Sequence, residues 1–272
     1  MILAIDIGGT KTLVASVTNE GQVIEKLKFP SPKNYQEYIQ TIKTNIDQLI
    51  KEPITIISIG CAGVIDRLAG IIKNSPNLDW IDTPLVPDLK QSYNVPIIIE
   101  NDANLAGLSE AHNLDNIHQR VMYVTFSTGI GTGFVINGKL SKDLLESEGG
   151  RMVFEHEGKM MDWESFAAGR AIVEKYGKLA SELNDPIAWK EISRNMALGI
   201  VNNCSVFSPD TVIIGGGVGT YFDKYDDFLN IEVENLLKEV AVIKKPVILG
   251  AKNAEEAVML GCIIIAQQYE QR

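Results

Sequence analysis

Asp6-Ile7-Gly8-Gly9-Thr10-Lys11-Thr12 puts an acid at the end of an apolar run, then a turn without side chains, then two hydroxyls and a lysine. The N–H groups of such a turn, the hydroxyls of Thr10 and Thr12 and the ammonium of Lys11 suit a phosphate, and Asp6 suits a Mg²⁺ held through water. The same residues suit a plain hairpin turn whose glycines need positive φ. Ser127-Thr128-Gly129-Ile130-Gly131-Thr132-Gly133 repeats the arrangement, with Thr128, Gly129 and Gly131 as the approachable positions. Gly215-Gly216-Gly217 follows a third apolar run, where bare backbone at Gly216 and Gly217 lets a flat purine and ribose lie close. A glycine triplet after a strand is also an ordinary strand-to-helix turn. Asp102 opens the helical stretch Ala103 to Ala111, whose N-terminal dipole favours an ionised carboxylate. Taken alone, it reads as an N-cap.

The elements that position these residues follow from periodicity. Ile2 to Phe29 reads as three antiparallel strands broken at Gly8-Gly9 and at Asn19-Glu20-Gly21. Asn34 and Glu37 have capping-box spacing ahead of a one-face stripe from Tyr35 to Leu49, and that helix ends near Pro53. Ile54 to Ile59 and Pro96 to Glu100 are buried strands, and Asn74 to Pro87 between them is mostly loop. Val121 to Phe126 and Thr132 to Ile136 flank the second glycine turn and echo the N-terminal grammar, which suggests a duplicated architecture. Helices are expected over Trp163 to Tyr176, Pro186 to Phe207, Tyr225 to Val240 and from Asn253 to Ala266, with strands over Thr211 to Ile214 and Val247 to Leu249. The result is an α/β chain of two lobes around a central cleft, residues 1–118 completed by a C-terminal helix 254–272, and residues 119–253.

A chain of 272 residues, 45% hydrophobic and 22% charged, can bury the core that two lobes need. Its formal charge of −10 and its lack of a basic cluster argue against nucleic acid and against an anionic membrane, and favour small-molecule partners. Cys61, Cys204 and Cys262 have no paired spacing and read as reduced core residues of a cytoplasmic protein. Neither a secretion signal nor a membrane span is expected, because the longest nearly uncharged run, Ala257 to Gln268, falls short of the roughly 18 residues a span requires.

The three glycine runs, in this order, resemble the two phosphate motifs and the adenosine motif of the actin-like ATPase superfamily (a ribonuclease H-like fold), and within it the sugar kinases of the ROK family. Gly63-Val64-Ile65-Asp66, Ser75-Pro76-Asn77-Leu78 with Trp80, Glu100-Asn101-Asp102-Ala103-Asn104 with Gly107 and Glu110, and Glu148-Gly149-Gly150 look like that family's sugar-site segments, so the resemblance covers nearly the whole chain. It implies ATP and Mg²⁺ as cofactors, Asp102 as the general base toward the attacking hydroxyl, and Asn101 as a hydrogen-bonding partner of the sugar. It places Gly63, Asn77, Glu148 and Glu164 in the hexose pocket, with a solvated helix face as the alternative for Glu164. It implies glucose as the commonest substrate, phosphorylated on its 6-hydroxyl, and a homodimer as the usual assembly.

The chain departs from the family where most members carry a histidine and a cysteine cluster that bind structural zinc. Arg151 stands at the histidine position and Met152 to Asp162 contains no cysteine, so no zinc is expected. Either Arg151 replaces that histidine at the sugar or His156 swings inward, surface exposure being the other option for His156. The segment is expected to form a hairpin held by Val153, Phe154, Met160 and Met161. Relatives that use polyphosphate also lack the cysteines, which makes polyphosphate an alternative donor. N-acetylmannosamine, mannose, fructose and allose are alternative sugars. A sugar-responsive regulator is the alternative outside enzymes, disfavoured because no helix-turn-helix segment precedes the first strand.

Overall fold

The computed structural model describes residues 1–114, 118–240, 244–253 and 255–270. The chain divides into two compact units, Met1–Ser109 with Glu255–Arg272, and Glu110–Ala254. Residues 254, 271 and 272 of the expected C-terminal segment lie outside the described residues.

The first unit opens with β1 (Ile2–Ile7), β2 (Lys11–Val17) and β3 (Val23–Pro30), followed by α1 (Tyr35–Leu49). Asn34 caps α1, its Oδ1 accepting from Glu37 N at 3.0 Å, and the helix stops at Leu49, short of Pro53. Next come β4 (Ile56–Cys61), β5 (Val64–Asp66), β6 (Ile71–Ser75), β7 (Trp80–Thr83), α2 (Leu85–Lys90), β8 (Ile97–Asn101) and α3 (Asp102–His112). The main sheet runs β3-β2-β1-β4-β8, antiparallel across the first three strands and parallel across β1, β4 and β8.

The segment expected as loop is instead built into the antiparallel trio β5-β6-β7 and α2. Trp80 anchors it, 2% exposed, with edge-on contacts from Tyr35 and Tyr38 and an indole N–H that donates to Lys33 O. Pro87 is accommodated in the first turn of α2, where its missing N–H has no intrahelical partner to lose.

The second unit repeats the strand grammar with β9 (Arg120–Phe126), β10 (Ile130–Ile136) and β11 (Lys139–Leu140), then the hairpin β12 (Val153–His156) and β13 (Lys159–Asp162). It continues through α4 (Trp163–Ala167), α5 (Gly169–Tyr176), α6 (Pro186–Phe207), β14 (Thr211–Gly215), α7 (Gly216–Gly219), α8 (Asp226–Val240) and β15 (Val247–Gly250). Its sheet order is β11-β10-β9-β14-β15, again three antiparallel strands and then parallel pairing of β9, β14 and β15. The helix expected over Trp163 to Tyr176 is broken at Ala168, which takes ψ 164 so that Gly169 N can donate to Ser127 O at 2.7 Å.

The last helix, α9 (Ala257–Glu270), packs with α3 on one face of the first sheet through Leu105, Met259, Cys262 and Ile263. All three cysteines are free and buried. Among the described residues no helix is long and apolar enough to cross a membrane.

Candidate active site

In the first unit, the turn from β1 to β2 is closed by Gly8 N donating to Lys11 O at 3.1 Å. Neither Gly8 nor Gly9 has positive φ, so handedness is not what requires glycine here. Proximity is: a Cβ on Gly9 would lie 2.8 Å from the Asn77 Cβ, and one on Gly8 would lie 2.9 Å from Lys11 O. Thr10 and Lys11 are exposed on the turn. Thr12 is fully buried and its hydroxyl points away from the open side, 2.9 Å from Ser31 Oγ and 3.3 Å from Tyr38 OH. Ser31 Oγ in turn donates to Gly8 O at 2.8 Å, so Thr12 braces the turn from behind through its side chain.

The strand-to-helix turn from β8 to α3 carries Asn101 and Asp102. Asn101 caps the helix, its Oδ1 accepting from Ala103 N at 2.9 Å and Asn104 N at 3.3 Å, and Ala103 N also donates to Asp102 Oδ1 at 2.8 Å. Its Nδ2 donates to Gly63 O at 3.1 Å. Gly63 has φ +121, and a Cβ there would sit 2.1 Å from Asn74 O, so only glycine fits. The structure thus brings Gly8, Gly9 and Asn77 together, and likewise Gly63, Asn101 and Asp102.

Asp6 and Asp102 feel each other. Burial first, and the Asp102 charge second, push the Asp6 pKa up to about 7, against a lowering by Lys28. Burial also raises the Asp102 pKa, opposed by the Ala103 N–H and its own. Two desolvated carboxyls of this kind suit a general base and also a cation that relieves their repulsion. Magnesium, which keeps several waters and takes one or two carboxylates, fits such a donor set. Among the described residues no group of three or more His, Cys, Asp or Glu side chains gathers as a metal cage.

In the second unit, the turn from β9 to β10 is held differently. Ser127 N donates to Gly129 O at 2.9 Å, and Ser127 Oγ accepts from Gly217 N at 3.2 Å, which ties the second glycine run to the third. Gly216 has φ +80 and its Cβ position lies 2.4 Å from Thr125 Oγ1, another place that admits only glycine. Gly131 lies within β10, opposite Thr125, rather than in the turn.

Glu164 is drawn onto this turn, so a solvated helix face does not describe it. Its Oε2 accepts from Ile130 N at 2.8 Å, its side chain is 13% exposed, and a Cβ on Gly129 would come within 2.3 Å of it. Arg151 Nη1 bridges Glu164 Oε1 at 3.2 Å and Asp162 Oδ2 at 2.9 Å. Asp162 Oδ1 also caps α4 by accepting from Ser165 N. Glu148 is exposed, beside the short turn Gly149–Arg151, and adds to the negative field on Arg151. His156 is part-buried, its side chain 19% exposed and its ring stacked on Phe166 at 4.2 Å and 12°. Phe154 and Met161 pack the β12–β13 hairpin against the core, whereas Val153 and Met160 are 63% and 71% exposed and do not hold it.

A cavity of about 560 Å³ opens beside the same turn, lined by Ser127, Thr128, Gly217 and Val218 and walled by Arg170, Val173, Leu179, Ala180, Ser181 and Tyr221. Its size is that of a small-molecule site. Gly217 and Thr128 were candidates from their glycine runs. The wall from Leu179 to Ser181 carries no motif, and only its place in the fold reveals it.

The sequence profile of the ROK family matches residues 2–269. A glucokinase of Streptomyces coelicolor is 26% identical over 260 residues, covering 80% of this chain and 82% of its own. Among solved structures, a ROK hexokinase from Thermus thermophilus superposes with TM-score 0.83 at 24% identity, covering 100% of this chain and 99% of its own. A ROK family glucokinase from Streptomyces griseus in complex with glucose and AMPPNP gives 0.76 at 24%, covering 98% and 99%. The chain therefore has the actin-like ATPase fold of the ROK sugar kinases.

Proposed function

Because the chain belongs to the ROK family, we infer that it transfers the terminal phosphoryl group of ATP to a hydroxyl of a hexose, with glucose and its 6-hydroxyl as the first choice. One observation carries this reading: in the first unit a side-chain-free turn, two mutually repelling carboxyls and the capped Asn101–Asp102 turn belong to one set of packed elements.

Asp102 accepts the proton of the attacking hydroxyl as the sugar oxygen bonds to the terminal phosphorus and the bond to the ADP oxygen breaks. Its raised pKa makes it a better proton acceptor than an ordinary aspartate. Gly63, Asn77 and Asn101 in the first unit, with Glu148, Arg151 and Glu164 in the second, are the groups proposed to meet the sugar. Gly8, Gly9, Thr10 and Lys11, with the backbone of Thr12, meet the phosphates from the first unit. Thr128, Gly129, Gly131, Gly216 and Gly217 belong to the nucleotide side of the second. Mg²⁺ arriving with the nucleotide supplies charge neutralisation, and Asp6 would hold it through water. The largely apolar recess beside Thr128 suits a nucleoside, a feature polyphosphate does not need, so ATP is the preferred donor.

The test is a coupled assay across glucose, mannose, fructose, allose and N-acetylmannosamine, with ATP and with polyphosphate. Turnover of one hexose with ATP is expected, and silence with every sugar under both donors would end the kinase reading. Asp102→Asn should keep nucleotide affinity and lose turnover by roughly 10²–10⁴-fold. Full turnover in that variant would remove Asp102 from the mechanism.

A further inference from the structure

Arg67 belongs to none of the segments that carry the chemistry, yet it grips a buried carboxylate two residues from Asp102. It lies just past β5, with its side chain 22% exposed, and Glu100, on β8, is 3% exposed. Arg67 Nε donates to Glu100 Oε2 at 2.8 Å and Nη2 donates to Oε1 at 2.5 Å, a two-pronged pairing of guanidinium and carboxylate. The Glu100 carboxylate has further duties. Its Oε1 accepts from Asn101 N at 2.7 Å and from Asn104 Nδ2 at 2.9 Å. One acid therefore ties the β5–β6 segment to the backbone before Asp102 and to the side chain two residues after it. Asn101, fixed in this way, spends its own side chain on Gly63 O, Ala103 N and Asn104 N.

The consequence for Asp102 is geometric. A carboxylate held on both flanks can be aimed only if Glu100 stays in place, and its fixed partners are what keep it there. Without the Arg67 fork, Glu100 would turn toward water, and that movement releases Asn101 N.

We propose that Arg67 is a positioning residue for phosphoryl transfer, clamping Glu100 so that the β8–α3 turn presents the Asp102 carboxylate in one orientation. This rests on the reading of Asp102 as the base. Displacements on the order of 1 Å at reacting groups cost about 100-fold in rate, so a loosened turn is visible in kcat.

The experiment measures kcat, KM for sugar, KM for ATP and the thermal midpoint in Arg67→Met, Arg67→Lys and the double variant Arg67→Met/Glu100→Gln, with Asp102→Asn alongside. Arg67→Met should lower kcat by about 10- to 100-fold with KM for ATP within about twofold. The double variant removes the stranded charge without restoring the fork, so it should regain the thermal midpoint but not the turnover. Arg67→Lys keeps the charge without the fork; it should fold and still lose kcat, so the inference stays readable if Arg67→Met does not fold. Wild-type kcat in Arg67→Lys and Arg67→Met, or a double variant that regains its turnover without the fork, overturns the positioning role. Loss of turnover in Asp102→Asn beside full turnover in Arg67→Met removes the inference alone. Full turnover in Asp102→Asn removes the base and the inference together.

Discussion

The two units share a sheet order, three antiparallel strands followed by two parallel additions, yet the glycine turns at their first hairpins are secured by opposite means. In the first unit the Gly8–Lys11 turn is braced from behind by neutral hydroxyls, Thr12 and Ser31, and the Asp102 charge bears on the desolvated Asp6. In the second, the Ser127–Gly129 turn is pinned by a charged side chain, Glu164, itself clamped by Arg151, and the space beside it is a largely apolar cavity. One hairpin grammar therefore serves two electrostatic settings. What separates them is not the glycines but the long-range partners that reach the turn.

The sharpest way to break this comparison is to add one methyl group at each turn. A Cβ on Gly129 meets the Glu164 carboxylate at 2.3 Å, and that carboxylate cannot yield without giving up Ile130 N and Arg151. Gly129→Ala should cost about 2–3 kcal/mol in urea unfolding, and Glu164→Ala in the same chain should absorb most of it. Additive losses in the double variant would show that Glu164 does not pin the turn.

The acidic setting of the first unit is tested through pH. Asp6 titrates near 7 in the folded chain against 3.8 for the ordinary group, so between those values the folded state binds a proton that the unfolded state has released. The stabilising contribution is complete below about pH 4 and disappears as pH rises through 7. Thermal midpoints in a metal chelator should therefore fall from pH 5 to pH 8, and Asp6→Asn should flatten that fall, gaining roughly 3–6 °C at pH 8. An Asp6→Asn chain that keeps the wild-type slope would assign the pH dependence to other groups.

Much of the fold was legible because local rules sufficed. Asn34 caps the helix its spacing announces, and the first three strands break where the glycine turns say they should. The failures are places where a distant partner decides. Ala168 is a good helix former, and nothing near it predicts that Gly169 N will prefer Ser127 O to the helix ladder. The strands β6 and β7 hide behind Pro76, Asn77 and Pro84, and their outer residues, such as Ile81 at 75% exposure, blur the alternation that marks a strand. For the candidate site, residue types could be read from the motifs, but their roles in the packing could not. Thr12 carries a hydroxyl at a phosphate-like spacing and turns it inward, Asn101 takes the cap that Asp102 was in line for, and Arg67 finds Glu100 thirty-three residues away.

The smallest expected effect concerns the inserted pieces, the β5-β6-β7 trio in the first unit and the β12–β13 hairpin in the second. Trp80 secures the one, and Phe154, Met161 and the Arg151 bridge secure the other. If apolar packing and one guanidinium are enough to hold the hairpin, removing metal should change nothing: the thermal midpoint in excess chelator should match that in added zinc to within about 1 °C. Arg151→Met should cost only about 0.5–1 kcal/mol, because its side chain is 56% exposed and solvent screens both of its ion pairs. Elemental analysis of protein purified without chelator decides the matter directly, since one zinc per chain would mean that the hairpin is closed by a ligand set its packing does not reveal.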